Sequence, residues 1–401
     1  MKQVQFEEVL KEPIRNGLTK PKAIRGSGVK MISMGEIFAH NRISKIAMDR
    51  VPVTDKEFSN CSIKAGDLLF ARQSLVLDGA GKCSIVTEAT EDTVFESHLI
   101  RARIDGQKAN PYFLYYYFNS HEGRENIKTI VEQVAAAGIR GSDLIKLWIP
   151  CPDIDIQNQV ASILDAVDRK IELNRKVNDN LEQQAVALFK SWFVDFSLFG
   201  GTVPENWEDT TLENITTLIT RGIAPKYSDD SDQTVINQKC IRNHTIDLSL
   251  ARTHTPKTIN EKWLQFGDLL INSTGDGTLG RVAQVWFAPK NLTVDSHVTI
   301  VRPAREELIF YIGLWGILHE KEIESLHTGS TGQTELPRDR VKMLKLLLPD
   351  NISLSRFNSI IAPMTSTIIS NQEENQKLAN LRDTLLPKLM SCEIDVANIQ
   401  L

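Results

Sequence analysis

The sequence predicts an α+β fold: two tandem α/β domains, separated by two long helices packed as an antiparallel coiled coil, with the halves related by a pseudo-two-fold axis. Three observations carry that expectation. First, the chain repeats itself. Gly66-Asp67-Leu68-Leu69-Phe70 returns 201 positions later as Gly267-Asp268-Leu269-Leu270-Ile271. Ser97-His98-Leu99-Ile100 returns as Ser296-His297-Val298-Thr299, and Leu147-Trp148-Ile149-Pro150 as Leu346-Leu347-Leu348-Pro349, both at an offset of 199. Asn174, Asn178 and Leu181 recur as Asn371, Asn375 and Leu378 at 197, a drift that loop insertions produce. Second, each copy begins with short β-rich runs between Gly, Asn and Pro turns, plus one aromatic helical stretch at Pro111 to Ser120. Third, about 153–197 and 351–391 lack internal Gly and keep helical spacing for some forty residues.

On the first helix the apolar seam runs Val160, Ile163, Val167, Ile171, Asn174, Asn178, Leu181, Ala185, Leu188, Trp192, in the steps of 3 and 4 of a coiled coil. On the second it runs Ile360, Met364, Ile368, Asn371, Asn375, Leu378, Leu385, Leu389, with Pro363 expected to kink or restart the helix. A polar residue on a seam costs stability and fixes register, so the matched pairs predict Asn174 and Asn178 close to Asn371 and Asn375. The alternative is that these Asn residues are solvated. The stripe Phe189, Trp192, Phe193, Phe196 at i, i+3, i+4, i+7 must bury itself, either on the second globular domain or on a partner protein.

Composition bounds the function. With 401 residues, 41% hydrophobic and 24% charged, the chain has material for more than one core. The net charge of -5 excludes a polyanion binder working by bulk positive charge. Residues 11–50 nevertheless hold nine Lys or Arg against three acids, a local +6. The five cysteines are scattered, with no C-x-x-C pair, so no zinc site or disulfide framework is expected. The N-terminus has no apolar signal core and no run is long enough to span a bilayer, so a cytoplasmic chain without membrane attachment is expected.

No catalytic motif survives inspection. Gly275-Asp276-Gly277-Thr278-Leu279-Gly280 fits G-x-G-x-x-G, but a dinucleotide site needs a helix directly after the glycines, and the alternating Arg281 to Ala288 reads as a strand. Asn110-Pro111-Tyr112-Phe113 lacks the second proline of the amino-methyltransferase loop and reads as a helix start, with Asn110 as N-cap. Gly81-Lys82 lacks the rest of a P-loop. The Ser-His dipeptides at His98 and His297 point to opposite faces of a strand, so they form no dyad and read as a strand-entry feature common to both copies.

The segment joining the copies carries a family resemblance. Trp148-Ile149-Pro150-Cys151-Pro152, Gln157 to Asp168, Ile171-Glu172-Leu173-Asn174 and Ala187 to Phe196 closely resemble the central conserved region of type I restriction-modification DNA specificity (S) subunits. Val203-Pro204-Glu205-Asn206-Trp207 looks like that family's start of a second target-recognition domain. Gly267 to Asn272, the turn to Gly280, and Thr328-Gly329-Ser330-Thr331-Gly332-Gln333 also match its pattern. For the last of these the first copy offers Ala137-Gly138-Ile139-Arg140-Gly141 instead.

The resemblance implies target-recognition domains at 1–150 and 200–349 and conserved long helices at 151–199 and 350–401. It implies a non-catalytic subunit that reads a bipartite site on double-stranded DNA, with the paired helices as a ruler. Two methyltransferase (modification) subunits and restriction/translocase subunits would dock on it. This chain would bind no cofactor; the partners would use S-adenosylmethionine, ATP and magnesium. A helix of forty residues spans about 60 Å, the length of about 17 base pairs. Because Phe70-Ala71-Arg72-Gln73-Ser74 differs from Ile271-Asn272-Ser273-Thr274-Gly275, an asymmetric site is expected.

Candidate DNA contacts are basic and amide side chains in matched loops, since Arg and Lys read guanine, Asn and Gln read adenine, and either holds phosphate. In the first copy they are Arg15, Asn16, Lys20, Lys22, Arg72, Gln73 and Lys82; in the second, Arg221, Lys226, Gln238, Lys239, Arg242, Asn243, Asn272, Ser273 and Arg281. The modest net charge predicts weak DNA affinity for the isolated chain. The alternative is a coiled-coil scaffold that pairs other proteins and does not bind DNA; a methyltransferase would instead bind S-adenosylmethionine by itself.

Overall fold

The computed structural model describes residues 2–89, 91–133, 136–275, 277–329, 334–391 and 393–394. Asp276 of the glycine motif, residues 330–333 of the Thr328 to Gln333 stretch, and Cys392 lie outside them. The chain divides into two compact units, one of residues 1–172 with 375–401, the other of residues 173–374.

In the first unit a five-stranded sheet runs in the order Arg15–Asn16, Leu99–Ala102, Leu68–Ala71, Cys83–Val86, Arg42–Ile43. All four residues of the central strand are buried, because it is covered on both faces. Successive side chains alternate. Leu68 and Phe70 join a core with Phe113, Leu114, Tyr117 and Phe118 of the helix Pro111–Asn119. Leu69 and Ala71 join another with Met31, Ile37, Val94 and Phe95. The helix starts as expected: Pro111 occupies its first turn, and Asn110 Oδ1 accepts from the amides of Tyr112 and Phe113 at 2.8 and 3.2 Å. The motif residues Gln157 and Asn158 hold that cap in turn. Gln157 Oε1 accepts from the Asn110 amide at 2.9 Å, and Asn158 Oδ1 from Asn110 Nδ2 at 2.8 Å.

The second unit repeats the plan with Thr216–Arg221, Val298–Pro303, Leu269–Asn272 and Val282–Gln284 as its sheet. Leu269 and Ile271 face one core and Leu270 the other. The glycine motif joins Leu269–Asn272 to Val282–Gln284, strand to strand, with Gly275, Gly277 and Gly280 at positive φ, so no helix follows to hold a pyrophosphate. Trp207 explains the Val203 to Trp207 motif. Its indole donates to Asp350 Oδ2 at 2.8 Å, while Asp350 Oδ1 accepts from the first-turn amides of Ile352 and Ser353. Burial opposes ionisation of Asp350, but these bonds outweigh it and draw its pKa down to about 2.

Both long helices have 40 residues, Ile154–Phe193 and Asn351–Met390. They run antiparallel: Asp168 meets Arg382 in the first unit, and Asn174 meets Glu374 and Asn178 meets Asn371 in the second. The expected restart at Pro363 does not occur. Proline removes the amide that would bond the Ser359 carbonyl, but both residues are exposed, where solvent is available to the freed oxygen and the helix runs on unbroken. The seam of the second helix also differs at its start: Ile360 is 40% exposed, and Leu354, Phe357 and Ile361 are the buried residues. The aromatic stripe of the first helix packs within the second unit, where Phe189 and Phe193 meet Tyr311 and Phe357 and Trp192 meets Phe357.

Candidate nucleic-acid interface

Each unit carries the same loop frame at the end of its central strand. The Gly-Asp turn that begins that strand is held by a buried bidentate pair. In the first unit Arg103 bonds Asp67 through Nε and Nη2, both at 2.7 Å; in the second Arg302 bonds Asp268 at 2.8 Å twice. The same carboxylates accept the amides of Lys64 and Gln265 at 2.7 Å, which closes the turn. Gly66 and Gly267 both sit at φ 88°, which favours glycine.

Beyond the strand, backbone bonds repeat one for one. The amides of Arg72 and Ser273 donate to the carbonyls of His98 and His297, both at 2.8 Å. Those of Ile139 and Leu336 donate back to the carbonyls of Arg72 and Ser273. The imidazoles join in: His98 Nδ1 lies 3.1 Å from Gln73 Oε1, and His297 Nδ1 2.7 Å from Thr274 Oγ1. Both histidines therefore enter their strands while tethering the adjacent loop. The frame also locates the first unit's counterpart of the stretch after Thr328. Glu132–Gln133 pairs with Ala137–Gly138, which pairs with Gln73–Ser74. In the second unit Thr328 bridges Glu335, which bridges Thr274. Backbone pairing preserves this hairpin while its side chains diverge, which hid it in the sequence.

The predicted contacts fall into distinct environments. Arg15, Asn16, Lys22, Lys226, Lys239, Arg242 and Asn243 are exposed. Arg15 and Asn16 border a surface cleft of about 420 Å³ together with Lys56 and Asn60, which the sequence reading missed because they come from a separate short helix, Asp55–Cys61. Gln73 is exposed and held by His98, and Arg72 beside it is half-buried.

The remaining candidates serve the fold in this structure. Lys20 pairs with Glu57 at 2.9 Å. Lys82 Nζ donates to the Phe38 carbonyl at 3.0 Å, and burial, with Arg124 nearby, lowers its pKa. Arg221 bonds Glu335 Oε1 and the Leu336 carbonyl at 2.5 and 2.7 Å, and Arg281 caps the Gly277 carbonyl at 2.6 Å. Gln238 Oε1 accepts from the Thr274 hydroxyl at 3.0 Å. Asn272 and Ser273 are fully buried, with Asn272 Nδ2 on the Gln238 carbonyl and Ser273 Oγ 2.6 Å from Thr299 Oγ1. Their side chains shape the frame and are not presented to solvent.

The basic stretch 11–50 is largely neutralised. Lys20, Arg25, Lys30, Arg42, Lys45 and Arg50 each meet a carboxylate, most of them from outside the stretch. Of the register asparagines, Asn174 is 3% exposed and donates to Glu374 Oε2 at 2.7 Å. Asn178 donates to the Ile368 carbonyl at 3.3 Å and accepts from Asn371 at 2.7 Å; Asn375 is half-buried. Cys61, Cys83, Cys151 and Cys240 are unpaired thiols. Among the described residues no group of His, Cys, Asp or Glu is placed to hold a metal ion, and no helix is long and apolar enough to cross a membrane.

Comparison with known proteins agrees with this architecture. Residues 3–183 match the model of the type I restriction modification DNA specificity domain. The MjaIX type I restriction enzyme specificity subunit of Methanocaldococcus jannaschii is 24% identical, over 95% of this chain and 90% of its own length. The HindI specificity subunit of Haemophilus influenzae is 22% identical, over 83% of this chain and 87% of its own. The crystal structure of the type I restriction-modification S subunit from M. genitalium superposes with a TM-score of 0.57 at 16% identity, covering 97% of this chain and 95% of that one, which shows a common fold. A repeated sheet domain, two antiparallel long helices and the matched segment converge on one conclusion: residues 3–183 match the type I restriction modification DNA specificity domain, and the chain along most of its length is similar to the specificity subunits of type I restriction enzymes.

Proposed function

We propose that this chain reads a bipartite, asymmetric site on double-stranded DNA and directs adenine methylation and restriction by partner subunits. It performs neither reaction itself. Residues 1–150 and 200–349 act as the two target-recognition domains, and 151–199 and 350–401 as the conserved helices. The observation that carries this reading is the repeated loop frame with unlike residues at its rim: the half-buried Arg72 and exposed Gln73 of the first unit stand where the second has the buried Ser273 and half-buried Thr274. An identical frame suits one kind of ligand, and unlike side chains suit two half-sites of different sequence. The exposed residues Arg15, Asn16, Lys22 and Gln73 and the half-buried Arg72 in the first domain, and the exposed Lys226, Lys239, Arg242 and Asn243 in the second, are the leading contacts.

Two methyltransferase subunits and restriction/translocase subunits dock on the chain and bring S-adenosylmethionine, ATP and magnesium chemistry with them. The protein works in the cytoplasm. Because the basic stretch is mostly paired internally, partners supply much of the phosphate contact and the isolated chain binds DNA weakly. The scaffold reading is not favoured by the family match.

The test is to express this chain with its methyltransferase subunit in a host lacking adenine methylation and to map N6-methyladenine across the genome. A single split, asymmetric motif that vanishes without this chain is expected. Stable complexes that leave no methylated motif would return the scaffold reading to the front.

A further inference from the structure

The loop after Gln73–Ser74 ends in an apolar tip. Leu75 is 97% exposed, Val76 64% and Leu77 45%, and the Phe38 ring beside them is 41% exposed. Single exposed apolar residues need no explanation, but three in a row on one loop, with the ring of Phe38 from the helix Met34–Ala39 beside them, do. The tip is also held from below. Arg124 donates to the carbonyls of Asp78, Ala80 and Gly81 at 2.8, 3.0 and 2.9 Å, and Ser74 Oγ accepts the Val76 amide at 3.1 Å. Gly81, at φ 67°, seats the loop against Ile127. An anchored base under an exposed apolar tip makes a projection whose ordering entropy is spent in folding, before anything binds.

Size and charge select the occupant. Three aliphatic side chains and one ring edge fall well short of the roughly 800 Å² per partner that a stable protein interface buries. They are the right size to enter a gap between two stacked base pairs. The surroundings are cationic. Arg72, Lys82, Arg124, Lys128 and Arg140 stand against Asp78, Glu125 and Glu132, and the Lys82 ammonium lies 5.4 Å from the Phe38 ring centroid. Arg72 and Gln73, on the frame that the proposed function assigns to DNA, directly precede the tip. The equivalent loop of the second unit offers Gly275, Gly277 and Thr278 instead, with no apolar side chain until Leu279, which is 7% exposed.

The geometry points to an apolar wedge: Leu75 and Val76 enter a base step of the half-site read by the first unit, unstacking and kinking it, while the second unit's half-site stays stacked. This inference rests on the DNA-reading function proposed above. It makes the asymmetry of the site one of DNA shape as well as sequence, since a flexible pyrimidine–purine step yields most readily to a wedge.

The test uses the full chain assembled with its methyltransferase subunits, and duplexes carrying the methylated motif with 2-aminopurine placed at successive steps and dyes at the ends. The assembled complex is expected to raise 2-aminopurine fluorescence at one step of the first half-site only, with a bend of roughly 20–90°. Leu75→Ser with Val76→Ser should abolish both signals and weaken binding by about tenfold, because the unstacking that the two side chains no longer cause offsets part of their lost burial. Both residues are exposed, so folding and methyltransferase assembly should be unchanged. Unaltered stacking in the wild-type complex, or signals that survive the double substitution, would overturn the wedge. A double variant that loses the methyltransferase subunits would overturn it in favour of a protein partner on the tip. If the wild-type complex does not prefer motif DNA over a scrambled duplex, the DNA-reading function itself has failed. Preference with every step stacked removes the wedge alone.

Discussion

The two units fasten a sheet domain to a helix pair by different physics. In the first, ions do it. Arg42 at the sheet edge reaches Asp165 at 2.7 Å and Glu172 at 2.6 Å on the first long helix, and Asp168 is shared by the Tyr116 hydroxyl and by Arg382 of the second helix. In the second, aromatic rings do it: Phe189, Trp192 and Phe193 interlock with Tyr311, Phe357 and Trp207, and a single histidine, His244, adds an ion pair to the first long helix, 2.6 Å from Glu182. The loop frame stays the same in both. A repeat can keep the backbone geometry that presents its loops and still change the chemistry that anchors it, because any burial of sufficient free energy serves the second purpose.

The largest effect that would sharpen this contrast is on the aromatic side. Phe189→Ala removes a fully buried ring and should cost about 3–5 kcal/mol. Calorimetry with hydrogen exchange should show the second unit opening earlier while amides of the strand Leu68–Ala71 keep their protection. Equal loss of protection in both strands Leu68–Ala71 and Leu269–Asn272 would mean the units unfold as one block.

Arg42→Ala comes next, at about 3 kcal/mol, because it leaves the Asp165 and Asp168 carboxylates buried with fewer partners. Here the first unit should open first. Arg42→Leu combined with Asp165→Leu should recover most of the loss, since apolar packing often replaces a buried ion pair without penalty. No recovery would show that the network does more than hold the domain in place.

Much of this was legible in the sequence, for reasons that differ by element. The repeat, the long helices and the Asn110 cap are local or periodic signals, and local physics determines them. The family resemblance rests on a contiguous segment. Individual contact residues were not legible, because a loop arginine looks the same whether it faces solvent or caps a carbonyl: Arg221 and Arg281 turned out to bond their own frame. Asn272 and Ser273 look like loop residues in the sequence, yet they end a buried strand and its turn. The ion pairs that neutralise 11–50 join residues far apart in sequence, such as Lys30 with Glu91, and no window of composition can see them.

The next contrast is in pH response. Hydrogen bonds that the ring donates to Glu182 and Glu320 outweigh burial and raise the His244 pKa from its ordinary 6.5 to about 10. A raised folded-state value means that the contribution is fully present below about pH 6.5 and is lost as pH rises toward 10. With the ring partly exposed, about 2 kcal/mol of stability should go over that range. Arginine stays charged throughout, so the Arg42 fastening should be flat there. Urea titrations from pH 6 to 10, read by tryptophan fluorescence in the second unit, should show the slope in the wild type and a flat profile in His244→Gln. A slope that persists in the variant would assign it to another group.

The smallest expected effect tests the feature the units have in common. Asp67→Asn and Asp268→Asn remove equivalent carboxylates, 1% and 0% exposed, from equivalent bidentate pairs. Each asparagine can still accept the turn amide, so the difference between the variants isolates the arginine left behind. Arg103 keeps a second carboxylate, Glu12 at 3.0 Å, whereas Arg302 among the described residues keeps the carbonyls of Glu261 and Trp263. A charge that retains an ionic partner costs less to leave buried than one that retains dipoles. Asp268→Asn should therefore be the worse substitution, by about 1 kcal/mol in denaturant midpoints. Glu12→Gln in the Asp67→Asn background should remove the advantage. If the two single variants match from the outset, Glu12 contributes nothing, and the repeated turn is held as firmly by carbonyl oxygens as by a second carboxylate.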